Sequence, residues 1–360
     1  NKMKKKLVGM LATATLLTMA LAGNVQAAEI RSVGPDGEAA VDASTIELTD
    51  DQIAQIKEGG YTAAICLHYG GNDWSTSQQK GLEDTFGELG IEIVAVTDAN
   101  FSAETQVSNI ETVMAKKPDI LVSIPTDATA TADAYKQAAA AGIKIVFMDQ
   151  RADGLEAGKD YVSVVSADNY GNGYASGTVL GDALGGKGKV AMVYYDANFA
   201  PTTQRDEGFR DAMKNYPDIE IVTEQGFTDE SGCAEQGDAI LTQFPNIDGI
   251  YASWDVPMEG VLSAVRAAGM EGKVTLACND LGNNVAREIA SGNIAGGGAQ
   301  MPYDQGVAEA KLAALALLGE ETPSYVAVPA ETVTHENVLE AYTDVYHVET
   351  PDWLKEAYVE

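Results

Sequence analysis

Residues 62–81 read TAAICLHYGGNDWSTSQQKG. The first six are small or apolar with no charge among them. A strand with apolar residues at every position, not every second one, is covered on both faces, as in a parallel sheet. Ser75 onward returns to polar and apolar residues at helical spacing. Between the two lie His68, Tyr69, two glycines, Asn72 and Asp73. The stretch therefore reads strand, loop, helix. Trp74 follows the loop's glycines and acids, so it is expected on the loop tip and not in a core.

The same rhythm runs outward along the chain. IEIVAV (91–96), DILVSI (119–124) and IKIVFM (143–148) alternate with amphipathic stretches of helical length, and it restarts after YVSVV (161–165). KVAMVYY (189–195), IEIVT (219–223), IDGIYA (247–252) and KVTLAC (273–278) are the strands of the second set. This predicts an α/β fold of two similar doubly wound parallel-sheet domains. Gly296-Gly297-Gly298 reads as a strand or hinge where backbones approach closely. Ligands of such sheets bind beyond the carboxyl ends of strands. Polar and aromatic residues collect at those ends: His68, Asp149-Gln150-Arg151, Asp196 and Asn198, Trp254-Asp255, Asn279-Asp280. Two facing sets predict a cleft between the domains. Asp127, Asp168 and Asp255 each precede or open an expected helix and read as caps.

Lys2, Lys4, Lys5 and Lys6, the apolar run Leu7–Ala22 and the small residues of Val25-Gln26-Ala27 predict an export signal over residues 1–27, cleaved after Ala27. Asn24 follows Leu21-Ala22-Gly23 where a lipidated exported protein has cysteine. Residues 28–60 form a polar N-terminal extension ending in a helix-like stretch. The protein is expected in the periplasm or at the cell surface. Formal net charge is −31, which repels phosphate backbones and anionic membranes, so nucleic-acid binding is set aside. Three cysteines give neither a disulfide framework nor zinc spacing. Cys66 and Cys278 are expected to be buried, and Cys233 semi-exposed. No cofactor and no metal site is expected. Phosphate-binding, hydrolase and metalloprotease motifs are missing, and paired aspartates alone do not make a glycosidase. The expectation is a binder and not an enzyme.

Seven stretches in order carry a family resemblance over residues 61–335: TAAICLHYGGNDWSTSQQKG, IPTD (124–127), FMDQR (147–151), VSADNYGNG (165–173), TTQRDEGF (202–209), LACNDLG (276–282) and GAQMPYDQG (298–306). The chain resembles the periplasmic sugar-binding proteins of the ribose- and galactose-binding type, receptors of bacterial ABC importers. The resemblance implies two lobes joined by three hinge strands, with crossings near 166–168, 299–301 and 328–331. The N-terminal lobe would span 61–166 and 300–328, the C-terminal lobe 167–299 and 329–335, and a tail 336–360. It implies a monomer that captures a small molecule in the cleft and docks on an inner-membrane permease, with a chemoreceptor as a further partner.

The resemblance also implies a site. Trp74 stands at a stacking position, Asn72 at a ligand-contacting asparagine and Phe227 at the aromatic of the opposite lobe. Asp149 and Asp280 match acceptors of hydroxyl hydrogens, Arg205 and Gln300 match donors, and His68 falls on a lining position. There are departures. Gln150 stands where ribose binders carry arginine, Trp254 and Ile124 where they carry asparagine, and Asn279 where they carry an aromatic. The implied ligand is a sugar, polyol or related cyclic molecule other than ribose. A non-sugar signal, such as an autoinducer or nucleoside, is the alternative.

Overall fold

The computed structural model describes residues 29–360; the expected export signal lies outside the described residues. In chain order, β1 (Val41–Asp42) and α1 (Asp50–Gly59) precede β2 (Thr62–Leu67), α2 (Asp73–Glu88), β3 (Glu92–Asp98), α3 (Ala103–Ala115), β4 (Ile120–Ser123), α4 (Ala132–Ala140), β5 (Lys144–Met148) and β6 (Ser163–Ala167). Then come α5 (Asn169–Ala183), β7 (Lys187–Tyr195), α6 (Ala200–Met213), β8 (Asp218–Phe227), α7 (Cys233–Gln243), β9 (Gly249–Ala252), α8 (Asp255–Ala267), β10 (Thr275–Cys278), α9 (Asn283–Ala290) and β11 (Gly296–Ala299). The chain ends with α10 (Pro302–Leu317), β12 (Tyr325–Val328), β13 (Glu331–Thr334), α11 (Val338–Tyr346) and α12 (Asp352–Ala357).

The strands form two sheets, one per lobe. The first is ordered β1-β12-β6-β5-β4-β2-β3, the second β13-β11-β10-β9-β7-β8. All pairings in the first sheet are parallel. The chain passes between lobes after β6, after β11 and after β12. One detail departs from the parallel expectation: β13 runs antiparallel to β11. β12 runs parallel to β6 and so ends at the cleft, and only two residues link it to β13; the chain therefore enters the second lobe from the cleft side and runs opposite to the strands that end there.

The apolar strands explain themselves in section. Ala63, Ile65 and Leu67 of β2 face one core, packed on α2 and α10; Ala64 and Cys66 face the other, under α3 and α4. The second lobe repeats this. Ala191 and Val193 of β7 join one core, Val190 and Met192 the other. Where β2 and β7 cross these cores they are buried on both faces, so no polar alternation survives there.

The three glycines of β11 are there for clearance. A Cβ on Gly297 would lie 1.7 Å from the Cys278 carbonyl oxygen, and one on Gly298 2.3 Å from that of Asn172. The extension is not a separate unit. Its residues 41–42 add the edge strand β1 to the first sheet. The amides of Arg31 and Ser32 each donate at 2.9 Å to the Asp168 carboxylate, which also caps α5 through Gly171. α1 carries a reciprocal cap between Thr49 and Gln52. The tail packs into the second lobe's core through Val338, Val345 and Leu354. It also reaches the first lobe, where His347 Nε2 meets Asp304 of α10 at 3.0 Å. All three cysteines are buried. Cys233 was expected semi-exposed, but it opens α7 on the core side, not in a turn.

Candidate ligand-binding site

The carboxyl ends of the strands in both sheets face one another across a narrow cleft between the lobes, a place where small-molecule sites are preferentially found. From the first lobe, the end of β2 supplies His68 and Tyr69. The first turn of α2 supplies Trp74, and β5 hands over to Asp149. Phe101 and Ile124 complete that wall. From the second lobe come Tyr195 at the end of β7, Phe199 and Arg205 around α6, Trp254 and Asp255 at the start of α8, and Asp280 after β10. Gln300 lies at the second crossing.

The aromatic residues form a continuous box. His68 stacks on Phe199 across the cleft, ring centres 5.6 Å apart at 12°. Tyr69, Trp74 and Phe101 meet the same imidazole edge-on. On the far side Tyr195 is edge-on to Trp254 at 5.5 Å. His68 is 4% exposed and its Nδ1 has no partner. Burial pulls its pKa down to about 3, so the ring is neutral at physiological pH.

A polar chain threads the box. Trp74 Nε1 donates to Gln300 Oε1 at 3.0 Å, and Gln300 Nε2 donates to Asp280 Oδ1 at 2.7 Å. Asp280 Oδ2 lies 3.5 Å from Arg205 Nη1. Arg205 is anchored by Nε to Asn169 Oδ1 at 3.0 Å and by Nη1 to the Ser253 carbonyl at 3.2 Å. Burial opposes its charge, but Asp280 and Asp149 outweigh burial and hold its pKa above the usual value. Asp149 receives Ser166 Oγ at 3.0 Å, the Ala167 amide at 3.3 Å and Gln305 Nε2 at 3.4 Å, all on Oδ1. Burial raises its pKa.

Asp149 and Asp280 are the same device used twice. Each follows the strand next to its hinge strand with a left-handed backbone, φ 58° and 71°, a conformation aspartate tolerates better than most residues. Each amide donates back to that neighbour, Asp149 to Val165 and Asp280 to Gly298.

Of the ten candidate residues, His68, Trp74, Asp149, Arg205, Trp254, Asp280 and Gln300 line this cavity. Three do not. Asn72 caps α2, its Oδ1 receiving the Ser75 amide at 2.9 Å. Gln150 turns away: Nε2 donates to the Pro125 carbonyl at 2.9 Å and Oε1 receives the Ala200 amide at 3.1 Å. It bridges the lobes beside the site. Phe227 ends the edge strand β8 and packs behind the wall, 5.7 Å from Tyr195 and 5.2 Å from Trp254.

Trp74 itself is helical, not on a loop tip, because Asn72 starts the helix two residues earlier. Asp168 does cap its helix. Asp127 instead closes the turn before α4 through the amides of Thr129 and Ala130. Asp255 is the first residue of α8 and holds the Val256 and Gly282 amides, each at 2.9 Å. Asn279 is structural, bonded to Tyr251, Ser253 and Ser176. Sequence reading missed Tyr69, Phe101, Tyr195 and Phe199. Tyr69 and Tyr195 were recoverable, since each is the aromatic at a strand's carboxyl end.

A family model, the periplasmic binding protein domain, matches residues 63–321. The D-ribose/D-allose-binding protein of Pseudomonas aeruginosa is 29% identical over 273 residues, 73% of this chain and 83% of that protein. The ribose import binding protein of Bacillus subtilis is 27% identical over 213 residues, 59% of this chain and 67% of that protein. Among solved structures, an ABC transporter solute binding protein from Agrobacterium vitis, bound with α-D-tagatopyranose, superposes with a TM-score of 0.74. It is 26% identical and covers 81% of this chain and 100% of its own. One from Actinobacillus succinogenes with bound D-allose gives 0.71 at 28% identity, covering 77% and 99%. Two lobes, three crossings and a cleft of strand-end residues agree with these matches: the chain belongs to the periplasmic binding protein family.

Proposed function

We propose that this protein is an exported receptor that captures a small sugar, polyol or related cyclic molecule in the interlobe cleft. It then presents the closed, loaded form to an ABC permease in the inner membrane. It acts as a monomer, and the loaded form is also a surface a chemoreceptor can read. The observation that carries the reading is the Trp74–Gln300–Asp280–Arg205 chain set between two aromatic walls. A sugar ring has apolar C–H faces and a polar rim. Aromatic rings suit the faces, and charged groups make the stronger hydrogen bonds to the rim. The sugars named for the relatives point the same way.

The test is thermal unfolding of the mature protein against pentoses, hexoses, polyols, inositols and nucleosides. Ligand at about a hundred times its Kd adds roughly 2.7 kcal/mol of stability. A midpoint shift with one carbohydrate, lost in Trp74→Ala, supports the reading. A shift only with a nucleoside or another non-carbohydrate replaces it.

A further inference from the structure

The cleft's hydrogen-bond inventory is lopsided. Most of its nitrogen donors are engaged within the protein, while the Tyr69 and Tyr195 hydroxyls and Arg205 Nη2 stay open to a ligand. Arg205 serves Asn169, Ser253 and Asp280. The indole of Trp74 serves Gln300, that of Trp254 serves Glu230, and the Gln300 amide serves Asp280. The acceptors are in excess. Three carboxylates line the cavity, Asp149, Asp255 and Asp280, against one guanidinium. Among the described residues, Asp149 Oδ2 receives no hydrogen bond, and Asp255 is met only by two backbone amides. Gln150 is neutral and brings no second positive charge, and its amide is held by Pro125 and Ala200. His68 lines the same cavity, 96% buried by its 4% exposure, with Nδ1 unpartnered.

Resting on the carbohydrate reading above, we propose that the cleft's ligand carries a protonated nitrogen: an amino sugar or a cyclic amino polyol. An ammonium group offers three donors and no acceptor, which complements a site rich in carboxylate oxygens. It also brings the positive charge that the three carboxylates and one arginine lack. The rings of Tyr69, Trp74, Tyr195 and Trp254 line the cavity, and an aromatic ring attracts a cation, best when it is desolvated. A neutral sugar ring can donate hydroxyl hydrogens to these carboxylates but brings no compensating charge. Burial pushes the Asp149 and Asp255 carboxyls up, Asp255 further because Asp280 stands beside it, and a cation between them would favour their ionised forms. The chain's net charge of −31 draws cations toward the cleft as a whole.

The experiment compares twins that differ by one hydroxyl exchanged for an amine. D-glucose is set against D-glucosamine, D-galactose against D-galactosamine, D-mannose against D-mannosamine, and scyllo-inositol against its monoamine. Each pair is titrated calorimetrically at pH 7.5. One amine is expected to bind about tenfold or more tighter than its twin, the scale of a well-placed charged hydrogen bond. Asp149→Asn is expected to remove most of that preference while weakening the neutral twin less. If a neutral member binds and its amine binds more weakly, the charge assignment is wrong and the carbohydrate reading stands. If neither the twins nor any wider carbohydrate binds, the carbohydrate reading fails and this inference with it. The twin comparison on the unaltered protein decides the matter even where Asp149→Asn does not fold.

Discussion

Trp74 and Gln300 are 226 residues apart in sequence, yet the indole N–H of one meets the side-chain oxygen of the other at 3.0 Å. The tryptophan belongs to the first lobe, and the glutamine sits where the chain leaves the second. The ring is thus both a wall of the cleft and a tie across it. Trp74→Ala removes both roles and is expected to weaken ligand about tenfold or more, as for a buried aromatic anchor. Trp74→Phe keeps a wall and loses the tie, so its loss should lie between wild type and alanine. Calorimetric titration checks the order; equal affinities for all three proteins would rule it out.

Two further ties touch no cavity-lining atom. Asp73 Oδ2 receives the Asn283 amide at 2.7 Å, a carboxylate of one lobe on the N-terminus of α9 in the other. Gln150 joins Pro125 to Ala200. Asp73→Ala and Gln150→Ala should each favour the open form. At about 1 kcal/mol per lost bond, apparent affinity falls roughly fivefold for each. Calorimetric titration of each variant checks this, and an unchanged affinity would contradict it.

His68 makes stability depend on pH. Its pKa falls from 6.5 unfolded to about 3 folded. Between those values the unfolded chain holds a proton that the folded one does not. Its contribution is therefore intact above about 6.5 and is lost as pH falls toward 3. Asp206 acts with the opposite sign: burial raises its pKa to about 6, so its contribution fades as pH rises through 6. A difference measurement separates the two. Ligand-free His68→Phe should gain on wild type by roughly 2–3 kcal/mol between pH 7 and 4.5. Denaturant titrations at the two pH values test it, and a constant gap would show that His68 does not titrate this way.

Gly173 lies inside α5, where a Cβ would meet the Arg205 carbonyl of α6 at 1.8 Å. On an open helix surface, Gly→Ala would stabilise by about 0.5–1 kcal/mol. Here the two helices must part, so Gly173→Ala should destabilise by about 1–3 kcal/mol and shift Arg205. A lower melting midpoint together with weaker ligand binding is expected. A raised midpoint would mean the helices have slack.

The fold was legible because parallel strands covered on both faces announce themselves. β2 and β7 show no polar alternation, and the glycines of β11 mark a backbone contact. Local chemistry was harder to read. The antiparallel turn of β13 depends on a two-residue link whose direction its composition does not encode. Asn72 and Gln150 have the residue types of ligand contacts, but the Asn72 oxygen caps its own helix and both ends of the Gln150 amide meet backbone groups. Cys233 sits in a polar stretch, and only the helix that begins at it turns it inward. Phe199, stacked on His68 from the other lobe, has meaning only once the lobes face each other.

Asp149 and Asp280 repeat one backbone device, once in each lobe, and that repetition makes the cleft a two-handed grip. On the proposed reading, each hand alone is a weak half-site. When the first lobe holds a molecule, hinge closure presents the second at a fixed, high effective concentration, so the two contributions compound like the arms of a chelate. Affinity in such an arrangement is set as much by how the hinge limits the open form's reach as by any contact in the cleft. Locking the lobes apart should reduce binding to that of one hand.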